Sequence, residues 1–162
     1  MNGLKFRIGE GYDVHQLRDG LRLTLGGVEI EHTKGCVAHS DGDVVIHAIC
    51  DALLGAAALG DIGLHFPDTS AQFKGIDSKI LLAKVCEILR AEGYEIGNID
   101  CTIRMQRPKL RPLIDRMRQT LAKSMSVETT QISVKATTTE KLGFEGREEG
   151  VSVSAIALIY KT

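Results

Sequence analysis

"SDGDVVIHAICDALLGAAAL", residues 40–59, is where the hydrophobic period of the chain changes. Ile46, Ile49, Cys50, Leu53 and Ala57 recur on one helical face. Ser40 and Asp43 are spaced as a capping box with Asp in place of the usual Glu, which predicts a helix starting at Ser40. Segments of strand character lie on either side. A helix set between strands points to a layered α/β arrangement.

Upstream, residues 4–30 read as two or three strands. Phe6 and Ile8 alternate with Lys5 and Arg7, the leucines of "LRLTL" alternate with Arg22 and Thr24, and Gly26-Gly27 marks a turn or bulge. Downstream, residues 60–76 form a long loop rich in Gly, Pro and Asp, the kind of segment that often carries function. A second amphipathic helix carries Leu81, Leu82, Val85, Cys86 and Leu89 and ends near Gly93. In strand 94–106, Ile99, Cys101, Ile103 and Met105 alternate with polar residues. "RPKLRP" interrupts it before a third helix with Leu113, Met117 and Leu121. Two strands close the chain, "QISVKATT" and "GVSVSAIALIY". The last is apolar on both faces over Ala155 to Tyr160, as expected of a strand covered on both sides. The expectation is one domain over residues 1–162, of α+β class: a two-layer sandwich with a mixed sheet and helices packed on one face.

Twenty basic and 21 acidic residues give a net charge of −1, so neither nucleic acid nor a membrane is the expected partner. Seventeen glycines and no Trp imply an aliphatic core with close backbone approaches. Cys36, Cys50, Cys86 and Cys101 form no C-x-x-C pair, which favours free thiols in a reducing compartment over disulfides or a zinc ribbon. "MNGLKFRIG" has no apolar segment after its basic residues and does not read as a signal peptide. His47, Asp51 and Asp61 break the longest apolar run, which is too polar to span a bilayer. A cytoplasmic location is expected, and an organelle enzyme stripped of its transit peptide would look the same.

Four groupings could carry chemistry. Asp13 and His15 of "GYDVHQL" are two apart, so on a strand they face the same way. With His47 they would make a carboxylate and two imidazoles, a zinc-type ligand set with one open position. Asp43 or Asp51, one helical turn to either side of His47, could hold its other ring nitrogen. Spacing alone favours an ordinary core histidine at 47 and a surface cap at Asp13. His39 and Ser40 precede a helix start that could hold phosphate, but Asp41 and Asp43 weaken an anion site there and spacing alone favours simple N-capping by Ser40. Thr137, Thr138, Thr139 and Glu140 end a strand, where ligand sites of α/β sheets lie, and Glu140 could share a Mg²⁺ with phosphates. Threonine's own strand propensity explains the run as well. Arg107, Lys109 and Arg111 cluster at a proline-bounded turn, suited to phosphate or base recognition or simply to solvent.

Taken together, "GYDVHQL", "GCVAHSDGDVVIHAICDALLGAAALGDIGLHFPDT", "FKGIDS", "GNID", "RPKL" and "VKATTTEKLGFEGREEG" resemble the 2-C-methyl-D-erythritol 2,4-cyclodiphosphate synthases from about Arg7 to Lys161. The resemblance implies a phosphorus–oxygen lyase of non-mevalonate isoprenoid biosynthesis. Its substrate, 4-diphosphocytidyl-2-C-methyl-D-erythritol 2-phosphate, closes to the cyclodiphosphate and releases CMP. It further implies zinc on Asp13, His15 and His47, and Mg²⁺ or Mn²⁺ on Glu140. His39 and Thr138 match positions that stabilise the transition state, and Ser40 matches a phosphate-binding position. Asp61, Gly63, Phe66, Pro67, Asp68 and Thr69 match the ribose and methylerythritol contacts. Met105, Lys109 and Leu110 match the cytidine pocket. Thr137, Thr139, Phe144 and Arg147 match further contacts near the diphosphate and a subunit cavity. A homotrimer with active sites between subunits is implied too, with the final strand covered by a neighbour. Ser70 and Ala71 stand where the family often has Asp-Pro. A metal-dependent nucleotide diphosphate hydrolase and a non-catalytic nucleotide- or isoprenoid diphosphate-binding trimer are the alternatives.

Overall fold

Two long antiparallel strands form the spine of the sheet. β1 (Phe6–Asp19) is one unbroken strand of 14 residues, and β7 (Gly150–Lys161) pairs along it from Phe6↔Tyr160 to Gln16↔Gly150. The structure, a computed structural model, describes residues 5–67 and 75–162. After β1 come a hairpin of β2 (Leu23–Leu25) and β3 (Val28–Ile30), then β4 (Lys34–Cys36). Gly26 and Gly27 form the hairpin turn with φ of +60° and +73°, a region that glycine enters without a Cβ penalty.

The helix foreseen at residue 40 is α1 (Val44–Ala56), which begins later than Ser40. Gly42 adopts φ +72°, outside helical space, and Asp43 supplies the cap by accepting the Ile46 N–H at 3.1 Å. Ser40 instead accepts the Gly42 N–H at 3.3 Å. α1 is also buried nearly all round, including Val45, Ala48, Ala52 and Leu54, because it lies between the sheet and α3 (Ser78–Ala91). The segment read as a loop contains a short helix, α2 (Ile62–His65).

β5 (Tyr94–Arg104), α4 (Ile114–Met125) and β6 (Ile132–Thr137) follow, then α5 (Gly143–Gly146), one turn that the sequence pattern does not reveal. The sheet order is β4-β1-β7-β5-β6, with β5 and β6 parallel and the other pairs antiparallel. The mixed sheet with helices agrees with the α+β expectation. Val151, Val153, Ala155, Ala157 and Ile159 of β7 are buried under the helices.

The opposite face of the sheet is open within the chain. Phe6, Ile8, Tyr12, Val14 and Ile156 are all exposed there, Ile8 by 70%. The apolar alternation of "KFRI" therefore points away from the helices. What faces α1 on β1 is Gly9, Gly11, Asp13, His15 and Leu17. A Cβ on Gly9 would lie 2.0 Å from the Ala52 carbonyl oxygen, and one on Gly11 would lie 1.9 Å from that of Ala48. Alanines at 48, 52 and 56 complete the contact from the helix side. The backbones touch, and the residue that follows the two glycines on this face is Asp13.

Gly11→Ala should therefore cost about 3 kcal/mol by overpacking. Gly55→Ala, in the same helix but with its new Cβ no closer than 3.8 Å to another atom, should gain up to about 1 kcal/mol from helix propensity. Denaturant unfolding of the two variants should move in opposite directions.

Candidate metal centre and active site

The close packing of α1 on β1 delivers His47 to the Asp13–His15 pair. Asp13 Oδ2 lies 3.1 Å from His15 Nε2 and 3.1 Å from His47 Nδ1, and the two nitrogens are 3.2 Å apart. Two imidazole nitrogens at that separation can share only one proton, yet all three lone-pair donors converge on one point. Tetrahedral ligands about 2.0–2.1 Å from a zinc-sized ion lie about 3.3 Å from one another, close to this triangle. The three residues are half-buried, and among the described residues they are the one cluster with metal-ligand geometry. The donor set fits a divalent metal ion.

Asp13 and His47 shift each other's titration in opposite directions. Burial raises the Asp13 pKa, but hydrogen bonds to His15 and His47 outweigh it and hold the carboxyl well below its usual range. Burial lowers the His47 pKa, and the hydrogen bond and charge of Asp13, with the charges of Asp43 and Asp41, reverse this and raise it above 6.5.

Neither aspartate expected to support His47 does so. Asp43 is fully buried and accepts the N–H groups of Gly26 (2.9 Å), Gly27 (2.6 Å) and Ile46 (3.1 Å). Burial pushes its pKa up to about 6 against those three bonds. Its carboxylate ties the β2–β3 turn to the start of α1. Asp51 accepts the Ile62 N–H at 2.8 Å and holds α2 instead. His47 Nε2 meets two hydroxyls, Ser78 Oγ at 3.1 Å and Ser40 Oγ at 3.3 Å.

The triad opens into a cavity of about 360 Å³, whose lining includes His39, Ser40, Gly63 and Phe66. Asp61 caps α2 beside it, accepting the Leu64 N–H at 2.9 Å, and Pro67 is exposed. His65 is spent on the Leu59 carbonyl at 2.8 Å. Asp68 and Thr69 lie outside the described residues.

Met105, Lys109, Leu110, Thr137 and Thr138 line a separate cavity, also of about 360 Å³. It sits at the same end of the sheet, since His15 pairs with Val151, Ser152 with Arg104, and Arg104 with Thr137. Three inter-strand steps separate β1 from β6, about 14 Å. Glu140 and Lys141 both adopt left-handed φ, +55° and +65°, a strained conformation of a kind that clusters at functional sites. Thr138 Oγ1 lies 3.4 Å from Glu140 Oε1, while the Thr139 hydroxyl donates to the Leu142 carbonyl at 2.6 Å and braces the turn. Phe144 lines a third depression with His15 and Glu149, and Arg147 is exposed and paired with Glu149 at 2.9 Å. One chain thus gathers the triad, His39, Ser40, Gly63 and Phe66, and keeps Thr138 and Glu140 apart from them.

Ser78 and Asp41 are the residues that sequence reasoning missed. The Asp41 carboxylate accepts the Ser78 hydroxyl, 37 residues away, at 2.5 Å. The "FKGIDS" segment contains Ser78, but its spacing reads only as a helix start.

The fold and the site now have a family. The chain belongs to the YgbB family, whose model matches residues 6–160. A protein of Porphyromonas gingivalis named 2-C-methyl-D-erythritol 2,4-cyclodiphosphate synthase is 63% identical over 154 residues, covering 95% of each chain. Among solved structures, the bifunctional IspDF of Campylobacter jejuni matches with a TM-score of 0.93 at 43% identity. That match covers 97% of this chain and 42% of the longer one. A CDP complex of IspF from Plasmodium falciparum matches with a TM-score of 0.85 at 34% identity over 97% of both chains. The resemblance read from the sequence motifs is borne out. Among the described residues, no helix is long and apolar enough to cross a membrane.

The raised pKa of His47 sets a pH dependence. A proton on His47 stabilises the metal-free fold fully below pH 6.5, and that contribution is lost as pH rises through the folded value. Metal entry must displace this proton, so affinity for a divalent ion should strengthen as pH rises. Chelator-competition titrations from about pH 5.5 to 8 check it, and a flat profile would contradict the assigned Asp13–His47 interaction.

Proposed function

We propose that this chain is a zinc-dependent phosphorus–oxygen lyase acting on 4-diphosphocytidyl-2-C-methyl-D-erythritol 2-phosphate. An oxygen of the 2-phosphate attacks the β-phosphorus, the bond from that phosphorus to the bridging oxygen breaks, and CMP departs with that oxygen. The product is 2-C-methyl-D-erythritol 2,4-cyclodiphosphate, an intermediate of non-mevalonate isoprenoid biosynthesis. The observation that carries this reading is the convergence of Asp13, His15 and His47 at the mouth of a substrate-sized cavity. The high identity to a synthase of that name over nearly the whole chain supports it.

Attack within one molecule needs alignment and charge neutralisation more than a protein nucleophile. Asp13, His15 and His47 would hold zinc, which when bound would supply Lewis-acid polarisation to a substrate phosphate. Ser40 binds phosphate, and His39, beside it in the cavity, stabilises the charge that develops on the phosphoryl group. Gly63, Phe66, Asp61, Pro67, Asp68 and Thr69 hold the ribose and methylerythritol. Met105, Lys109 and Leu110 hold the cytosine end in the second cavity, with Thr137 and Thr139 beside the diphosphate. Thr138, like His39, stabilises the transition state at the attacked β-phosphorus as CMP departs. Glu140 is suited to Mg²⁺ or Mn²⁺, since such an ion takes one or two protein carboxylates and shares the substrate's phosphates. Phe144 and Arg147 make further contacts near the diphosphate and the subunit cavity.

The working form is a homotrimer with active sites between subunits. Two observations support it: an open sheet face bearing Phe6, Ile8, Tyr12, Val14 and Ile156, and two half-sites held apart within one chain. A neighbouring copy would cover the first and bring together the second. The enzyme acts in the cytoplasm, or in a plastid-type organelle.

Phosphorus NMR and CMP release test the reaction. With zinc and Mg²⁺ the protein should yield the cyclic diphosphate and CMP, with no inorganic phosphate. A linear phosphate product would mean a hydrolase, and binding without turnover would mean a non-catalytic protein. His47→Ala should lower CMP release more than about 100-fold and lose the bound metal.

A further inference from the structure

Only one ring nitrogen of His47 can serve a metal, and the other decides how the ring is held. Nδ1 is aimed at Asp13 and His15, so a bound metal requires the ring proton on Nε2. Nε2 lies 3.1 Å from Ser78 Oγ. Ser78 is fully buried at the first position of α3, and its hydroxyl is not free to choose a direction. Asp41 fixes it twice: Oδ1 accepts the hydroxyl at 2.5 Å and Oδ2 accepts the Ser78 N–H at 2.9 Å. The Asp43 N–H adds a third bond to Asp41 at 3.2 Å. With its own proton committed to a carboxylate, the Ser78 oxygen can only accept from His47.

We propose that Asp41 and Ser78 are positioning residues for the metal. Through the relay Asp41–Ser78–His47 they hold the ring proton on Nε2, lock the ring's orientation and leave Nδ1 bare toward Asp13 and His15. This rests on the zinc reading of the triad. The more distant Ser40 hydroxyl, at 3.3 Å, already accepts the Gly42 N–H and is the weaker partner. The relay also joins two segments far apart in sequence, residues 39–43 and the start of α3. A second bond, from the Gly75 N–H to the His39 carbonyl at 2.9 Å, fastens the same segments together. Metal affinity is thereby coupled to the docking of α3.

Two variants of the full chain test the relay. Ser78→Ala removes the acceptor. Asp41→Asn puts an amide donor where the carboxylate accepts, which turns the Ser78 proton toward His47 and favours the wrong tautomer. Competition with a zinc-chelating dye should show zinc affinity weakened about 10–100-fold in both, and little changed in Ser40→Ala. In zinc-loaded, ¹⁵N-histidine-labelled protein, the His47 Nε2–H proton should be protected from exchange in the unaltered chain and exchange rapidly in Ser78→Ala. A role confined to stability would lower the melting temperature of the metal-free variants and leave both readouts unmoved. Unchanged zinc affinity in folded Asp41→Asn, or a freely exchanging His47 ring proton in the unaltered chain, would overturn the relay while the zinc site stands. If Ser78→Ala does not fold, those two measurements still decide. An unaltered chain that binds no zinc would overturn the zinc site along with it.

Discussion

Everything at the site depends on backbone lying against backbone where α1 crosses β1. Gly9 and Gly11 have no Cβ, and Ala48, Ala52 and Ala56 present the smallest side chains a helix can offer there. Side chains of ordinary size would push the helix outward by several ångströms. His47 would then no longer reach Asp13 and His15. On the strand, the two glycines are followed on the same face by Asp13 and His15, and on the helix, His47 precedes Ala48. The contact that packs the core therefore also sets the triangle of ligand atoms.

A second constraint fixes where that helix starts. The buried carboxylate of Asp43 gathers three backbone N–H groups from two elements, so hairpin turn and helix cap are satisfied by one side chain. Hydrogen bonds to a charged acceptor contribute about 1.5–3 kcal/mol each, and three of them offset the cost of burying this carboxylate. Asp41, two residues earlier, accepts the Ser78 N–H and hydroxyl and so holds the start of α3, whose own cap is Asp77. The acidic "SDGD" segment thus organises the site from behind, while the residues that face the cavity are His39 and Ser40.

Much of this was legible in the sequence, and the exceptions have physical causes. Long periodic elements such as α3 and β5 were readable because their buried faces repeat, with Leu82, Val85 and Leu89 in one and Ile99, Cys101 and Ile103 in the other. The helix start was misplaced because Ser40 and Asp43 satisfy the same cap spacing, and only the backbone at Gly42 decides between them. The inward face of β1 was not readable by hydrophobicity, since before Leu17 it consists of glycines and ligands while Phe6, Ile8, Tyr12 and Val14 face outward. The motifs disclosed the triad by resemblance, where spacing alone did not. Ser78 and Asp41 stayed hidden because a hydroxyl and a carboxylate 37 residues apart leave no periodic trace.

The central claim is that packing of α1 on β1 builds one metal site from Asp13, His15 and His47. Crystals grown with zinc and measured on both sides of its absorption edge test it most directly. The account predicts one strong anomalous peak bonded to Asp13 Oδ2, His15 Nε2 and His47 Nδ1, with a fourth position open toward the cavity that holds His39 and Ser40. A peak held by a different set of side chains, or by His47 through Nε2, would contradict it.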